Sequence, residues 1–187
     1  DKPDATAVVP FTFDDAKIVQ NSIDPKSDRA PGENDQRQRI VLSGIWDLNN
    51  YASGFSPAGK AFLGGWEVSF IITAQSGQPY SARVNGDLNG DGNVRNDLAP
   101  GTRRNAYRLP AIIQADMRVA RDIPLGGRVQ AQLIAEAFNL LNRDNINGVV
   151  AMRYGLAGTT LTPIAAFGQP NATAGERIVQ LAARITF

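Results

Sequence analysis

The segment from residue 87 to residue 97 carries the side chains whose types and spacing are best suited to chemistry. Its sequence is DLNGDGNVRND, so oxygen-bearing side chains stand at positions 1, 3, 5 and 7 and glycine stands at position 6. Calcium prefers oxygen ligands, and an EF-hand loop presents them at this spacing with glycine at the sharp turn. The spacing therefore predicts a calcium site with the ligands Asp87, Asn89, Asp91, Asn93 and Asp97.

The end of this segment departs from an EF-hand. Position 12, where an EF-hand has a bidentate carboxylate, is Leu98, and Asp97 comes one residue early. The flanking sequence does not predict helices. The alternative interpretation is a polar turn without a metal, in which Asn, Asp and Gly serve only the backbone conformation.

Composition excludes several other kinds of site. The 187 residues include neither Cys nor His, which removes thiolate nucleophiles, Ser-His-Asp triads and the usual zinc ligands. Carboxylate pairs remain available, but no spacing points to glycoside hydrolysis, and we predict that the chain is not an enzyme. With a net charge of +1, a nucleic-acid partner is not expected either.

The elements that must position this loop are β-strands, because apolar and polar residues alternate along several segments. No apolar run approaches the roughly 18 residues of a membrane-spanning helix. Residues 1–37 are predicted to form an irregular loop region with one short strand around 8–13, and residues 38–187 to form strands and loops. The predicted strands are 38–48, 65–75, 113–122, 128–139 and 177–187, with a shorter one at 149–154, a tight turn at 124–127 and long connections at 49–64, 85–110 and 140–176.

Two all-β architectures fit this pattern. A soluble sandwich buries its apolar faces between two sheets, whereas a membrane barrel turns them toward lipid and keeps charged residues inside. Mid-strand charges and aromatic residues near strand ends favour the barrel: Glu67, Asp116, Arg118, Glu136, Arg184, Trp46, Trp66 and Phe187. We predict an all-β, antiparallel up-and-down meander that forms part of a transmembrane β-barrel. The alternative is a soluble, calcium-stabilised β-sandwich used for adhesion or carbohydrate binding.

Several segments resemble, in order, those of TonB-dependent outer-membrane receptors of the Oar-like group. They are residues 35–44 (DQRQRIVLSG), 73–80 (TAQSGQPY), the polar loop 86–105 and residues 136–143 (EAFNLLNR). The terminal Phe187 resembles the carboxy-terminal signal that the outer-membrane insertion machinery recognises. The chain is therefore similar to the carboxy-terminal part of the barrel in that family.

The resemblance implies a protein of the bacterial outer membrane that takes part in energised uptake. In such receptors a ligand binds the extracellular loops and the plug, and TonB pulls on the plug, so this chain would supply barrel wall and loops. Family barrels have about 22 strands, and five strands cannot close a ring because about eight is already small. The expected partners are outer-membrane lipid, the remaining strands and plug of the parent barrel or another chain, and TonB indirectly through the plug.

Overall fold

A computed structural model describes residues 19–21, 23–48 and 54–187, and strands dominate this part of the chain. The predicted short strand around 8–13 lies outside the described residues. None of the described helices is long and apolar enough to span a membrane. The elements are a 3₁₀ helix (Pro25–Asp28), β1 (Arg39–Asp47), α1 (Pro57–Leu63), β2 (Trp66–Gln75), β3 (Pro79–Tyr80), β4 (Arg83–Asn85), β5 (Tyr107–Arg108), β6 (Ile112–Gly126), β7 (Val129–Phe138), β8 (Ile146–Val149), β9 (Met152–Ala157), β10 (Thr160–Pro163), β11 (Pro170–Thr173) and β12 (Ile178–Thr186).

The chain folds into two compact units that alternate along the sequence. Unit 1 contains the described residues up to 38 together with 76–111 and 146–173, and unit 2 contains 39–75, 112–145 and 174–187. The strands of unit 2 are the long ones, and unit 1 contains the short ones.

Unit 2 is a five-stranded antiparallel sheet in the order β1-β2-β6-β7-β12. Within this unit, each strand pairs with the next one along the chain, so the predicted up-and-down meander is confirmed. One row of paired residues crosses all five strands and shows how the register keeps apolar residues on one face: Gly44, Phe70, Met117, Ala137 and Val179. The five predicted strands were found because a two-residue period is a strong signal over nine or more residues.

The turn between β6 and β7 differs from the prediction. A tight turn joins the two strands, but it begins later than the predicted 124–127, because β6 continues to Gly126 and the turn residues are Gly127 and Arg128. Pro124 pairs with Gln130, at a point where β2 no longer pairs with β6. A proline that lacks its N–H is tolerated in a strand that has a neighbour on one side only. Gly126, the last residue of β6, and Gly127, the first residue of the turn, have positive φ values of +111° and +61°, which glycine adopts without steric cost.

The connection at 140–176, predicted to be mostly loop, contains four short strands. β9 pairs with β10 and, in parallel, with β4, while β8 pairs with β11. The predicted strand at 149–154 is divided, because Val150 exchanges backbone hydrogen bonds with Gly168 and Gln169 (2.9 and 3.0 Å) instead of continuing β8 into β9. Strands this short depend on partners distant in sequence, and periodicity carries no information about them.

The connection at 49–64 contains a helix that the alternation pattern did not predict. The Oγ atom of Ser56 accepts a hydrogen bond from the N–H of Gly59 (3.3 Å), and Pro57 occupies the first turn of α1. A serine cap followed by proline is a helix-start signal. The helix has only seven residues, so no helical period was visible.

The core of unit 1 lies where residues 82–84 run against residues 97–99. The N–H of Val84 donates to the carbonyl of Asp97 (3.0 Å), and the N–H of Ala99 donates to that of Ala82 (2.9 Å). Ala82 and Val84 are completely buried, and Leu98 is nearly so. The apolar core is small, and much of the buried material around it is polar.

Gly77 is the residue of unit 1 at which a side chain is least tolerated. A Cβ atom there would lie 1.8 Å from the carbonyl oxygen of Leu109, which is backbone and cannot rotate away. We expect Gly77→Ala to lower the free energy of unfolding of unit 1 by about 1–3 kcal/mol through overpacking. Faster hydrogen exchange at the Leu109 amide, which donates to the carbonyl of Gln78, reports the loss.

Gly32→Ala is the matched control, because a Cβ atom at Gly32 meets nothing within 4 Å. This variant is expected to stay within about 0.5 kcal/mol of the parent protein. Equal destabilisation by both variants would contradict the close approach at Gly77.

Candidate membrane-facing sheet and cation-binding loop

One face of the sheet in unit 2 is apolar from edge to edge. The row Trp46, Val68, Val119, Ala135 and Leu181 crosses the five strands in register. Within this face Leu133 is 50% exposed and Leu181 is 80% exposed, so neither is buried against a second sheet. Contiguous exposed apolar surface marks a contact with protein or lipid. The sandwich alternative, which requires a dry layer between two sheets, finds no support in the described residues.

The opposite face carries the predicted mid-strand charges, and two of them, Arg118 and Glu136, pair with each other. Arg118, Glu136 and Gln180 stand side by side on β6, β7 and β12. The Nε atom of Arg118 lies 3.4 Å from Oε1 of Glu136, close enough for an ion pair but without hydrogen-bond geometry. The Nε2 atom of Gln180 donates to the other carboxylate oxygen of Glu136 (2.5 Å). A polar ladder across neighbouring strands is what a wet barrel interior would contain.

A hollow of about 380 Å³ lies over this polar face. Most of its lining belongs to the polar face, and the rest to chain neighbours on the same strands. The lining residues are Ser43, Ile45, Ser69, Ile71, Asp116, Arg118, Glu136 and Phe138, with Gly44, Phe70 and Met117. This recess therefore lies on the charged side of the sheet, where a barrel would have its lumen.

Aromatic residues stand at one end of the apolar face, where α1 meets the strands. The indole N–H of Trp66 donates to the carbonyl of Phe62 (3.0 Å), and the guanidinium of Arg121 lies 5.0 Å from the centre of the Trp66 ring. Arg121 also donates to the carbonyl of Ala61 (2.7 Å), so two side chains of the sheet satisfy the last turn of α1. Trp46 and Phe62 stay more than half exposed. Exposed aromatic side chains at strand ends are typical of a membrane–water interface.

The strand ends are fixed by hydrogen bonds between side chains and backbone. In unit 1, Arg108 donates to the carbonyls of Asp35 (2.9 Å) and Gly77 (3.1 Å) and pairs with the Asp35 carboxylate. In unit 2, Asn139 has a φ of +50° and its side chain bonds to the backbone of Arg143 and Gly175. These contacts hold the chain in place where regular pairing stops.

The loop at 87–97 folds back on its own backbone. The carboxylate of Asp87 accepts hydrogen bonds from the N–H groups of Gly90 (2.7 Å), Asp91 (3.1 Å) and Gly92 (2.9 Å). The side-chain oxygen of Asn89 accepts from the N–H of Asp91, and that of Asn93 accepts from the N–H of Arg95. Four of the five predicted ligands therefore shape Asx-type turns or contribute to them.

Asp97 occupies a different environment from the other predicted ligands, because it is fully buried. Its Oδ2 atom accepts hydrogen bonds from the N–H groups of Leu88 (2.5 Å) and Asn89 (3.3 Å). The next residue, Leu98, packs into the core of unit 1. Position 12 of the loop is thus a core position, which explains why it carries no carboxylate.

Asp91 and Asn96 join the two halves of this loop. The side-chain nitrogen of Asn96 donates to Oδ2 of Asp91 (2.7 Å), and the N–H of Asn93 donates to Oδ1 (2.8 Å). These hydrogen bonds, the one from Asn96 first, lower the pKa of Asp91 below its ordinary value. In the described part of the chain, no three acidic side chains converge closely enough to hold a metal, so the calcium assignment stays a prediction.

Unit 1 also contains an aromatic cluster that the sequence did not indicate. The rings of Tyr80 and Tyr107 are stacked at 5.5 Å, and Phe167 meets Tyr107 edge-on at 5.5 Å. Arg153 lies 5.7 Å from the Phe167 ring and donates to the hydroxyl of Tyr107 (2.9 Å). Burial, and then the neighbouring Tyr107, raises the pKa of Tyr80. These residues are far apart in sequence, so no local spacing could have predicted them.

An antiparallel sheet with one exposed apolar face, one charged face and aromatic residues at strand ends has the features of the wall of a membrane β-barrel. The family model for the outer membrane beta barrel domain matches residues 8–103 and 98–180, and the chain belongs to this family. No curated protein and no solved structure matches the chain. Family membership places the protein in the bacterial outer membrane, where lipid contacts the apolar face.

Proposed function

We propose that this chain forms wall strands and loops of a TonB-dependent outer-membrane transporter. In this proposal the sheet of unit 2 is part of the barrel wall, and unit 1 lies in the loops that a ligand meets on the outside. The chain performs no catalysis, and the energy for uptake comes from TonB acting on a plug. The family match names the barrel only, so the transport mechanism rests on the segments that resemble TonB-dependent receptors.

The observation that carries the proposal is the structural position of those segments. Residues 35–44, 73–80 and 136–143 each contain a junction between a long strand and a connection. Within them, the Asp35 carboxylate pairs with Arg108, and the Gly77 carbonyl accepts a hydrogen bond from it. The side chain of Asn139, directly after β7, donates to the carbonyl of Arg143. The resemblance therefore falls on residues that determine where wall strands stop, which supports a shared barrel architecture and not a chance match of composition.

The lengths of the connections between strands indicate which end of the barrel faces the cell exterior and which faces the periplasm. The insertions 76–111 and 139–177 both leave the sheet at the end where Gln75 of β2 pairs with Ile112 of β6. The opposite end of the sheet has the two-residue turn at Gly127 and Arg128 and the connection from residue 48 to residue 65, which contains α1 and is shorter than either insertion. Outer-membrane barrels have long extracellular loops and short periplasmic turns, so we assign the long insertions to the extracellular side.

The test is retention of the full-length protein by the periplasmic domain of TonB from the same bacterium. Detergent-solubilised outer membranes are passed over the immobilised TonB domain, and a porin from the same extract serves as the control. Retention of the protein but not of the porin is expected. Absence of retention above the porin level would contradict TonB dependence while leaving the barrel assignment intact.

A further inference from the structure

Two buried oxygen atoms in the 87–97 loop have no hydrogen-bond partner. They are Oδ1 of Asp97 and Oδ1 of Asn96, and both residues are completely inaccessible to solvent. An unsatisfied buried polar group costs about 1–3 kcal/mol, and more when it is charged. Because the two residues are adjacent, both costs fall at the same place in unit 1.

The remaining polar atoms of both side chains connect them to the loop. The second carboxylate oxygen of Asp97 accepts from the N–H groups of Leu88 and Asn89, and the amide nitrogen of Asn96 donates to Asp91. The unpartnered oxygens therefore belong to groups that lie against the loop. The arginines Arg104 and Arg108 of unit 1 form salt bridges with other carboxylates, those of Asp28 and Asp35.

The chemistry of the available donors selects the kind of cation. The loop offers carboxylate, amide and backbone oxygens and no nitrogen or sulfur ligand, since the chain lacks His and Cys. Calcium accepts six to eight such oxygens in flexible geometry, whereas magnesium demands a near-ideal octahedron. A loop whose carboxylate, amide and backbone oxygens differ in burial fits calcium better than magnesium.

We infer that the loop binds one calcium ion through the side chains of Asp91, Asn96 and Asp97, while Asp87 holds the turn. This set differs from the EF-hand spacing: it adds Asn96 and assigns Asp87, Asn89 and Asn93 to the backbone contacts that they make. Two carboxylates supplemented by amide and backbone oxygens need no third acidic side chain, which agrees with the absence of a triple acidic cluster among the described residues.

The ion would fasten the loop to the core of unit 1. The backbone of Asp97 accepts from Val84, and Leu98 and Ala99 continue the pairing with residues 82–84. Calcium bound by Asp91 and Asp97 would therefore close the loop onto its most buried segment. This inference concerns unit 1 alone and does not depend on whether the barrel uses TonB.

The test is calorimetric titration of calcium chloride into the protein purified in detergent after treatment with EGTA. We expect a dissociation constant of about 10⁻⁴ to 10⁻³ M, as in extracellular calcium modules. Asp97→Asn keeps an oxygen for Leu88 and Asn89 but removes a charge from the ion, so binding should weaken by about tenfold or more. Asp144→Asn, at an exposed position in unit 2, should leave it unchanged.

Asp91→Asn provides a second variant in case the buried substitution prevents folding, because Asp91 is exposed. Weaker binding in Asp91→Asn, with normal binding in Asp144→Asn, supports the site. The absence of calcium binding by the parent protein would overturn the inference. Binding that neither loop variant weakens would overturn it as well, since the ion would then lie elsewhere.

Discussion

Replacement of Arg104 by Met is expected to lower the free energy of unfolding of unit 1 by about 3–5 kcal/mol. Arg104 and Asp28 form an ion pair at 2.8 Å, and both side chains are almost completely buried, at 6% and 2% exposure. Removal of the guanidinium leaves the Asp28 carboxylate buried and uncompensated. Hydrogen exchange at the amides of Val84 and Ala99, which lie in the core of unit 1, measures the loss.

Two further variants separate the ion pair from general damage. The double variant Arg104→Met/Asp28→Asn has no unpaired charge at position 28. The side-chain oxygen that accepts from the N–H of Gln20 (2.7 Å) remains, so most of the lost free energy of unfolding should return. Asp35→Asn removes a carboxylate from a partly exposed pair with Arg108 and should cost about 0–1 kcal/mol. If the double variant is as unstable as Arg104→Met, the buried charge is not the cause.

Leu133→Arg is expected to destabilise the protein in lipid vesicles by about 1–2 kcal/mol. A cation on a lipid-facing position costs about 2–4 kcal/mol at the bilayer midplane and about 0–1 kcal/mol at the interface, and Leu133 pairs with Arg121, which lies beside Trp66. Leu133 lies in the middle of β7 on the apolar face and is half exposed. Denaturant unfolding followed by tryptophan fluorescence gives the difference in free energy. When the same variant is expressed in cells, less of it should reach the outer membrane.

Ile134→Arg is the matched control, because this neighbouring residue is also apolar but lies on the opposite, charged face. It pairs with Ala120 and Ala182, in the row next to Arg118 and Glu136. Its cost should stay within about 1 kcal/mol, since substitutions on the lumen side are tolerated. A larger loss at Ile134 than at Leu133 would reverse the assignment of the two faces.

The long strands of unit 2 could be predicted because each alternates over nine or more residues and pairs with its neighbour along the chain. Prediction was wrong where pairing depends on a distant or missing neighbour. Pro124 reads as a turn residue, yet it stays in β6 because β2 ends before reaching it. The strands β8 to β11 have four to six residues each, and their pairing partners, not their sequence, make them extended.

The candidate loop was predicted from the spacing of its oxygen-bearing residues, but the roles of those residues were not. Spacing cannot reveal that Asp97 is buried while Asp91 is exposed, nor that Asn96 has an unsatisfied oxygen. Both facts follow from the pairing of residues 97–99 with residues 82–84, which is a tertiary contact. The ion pair between Arg104 and Asp28 joins residues 76 positions apart, and no local pattern connects them.

The order of strands in the sheet has a consequence for the protein in water. β1 and β12 each have one hydrogen-bonded neighbour among the described strands, so each has a row of backbone donors and acceptors along its outer rim. The unpaired N–H and C=O groups of such a rim can form hydrogen bonds with another extended chain. Without adjoining strands, both rims would be open to edge-to-edge pairing with other copies of this polypeptide.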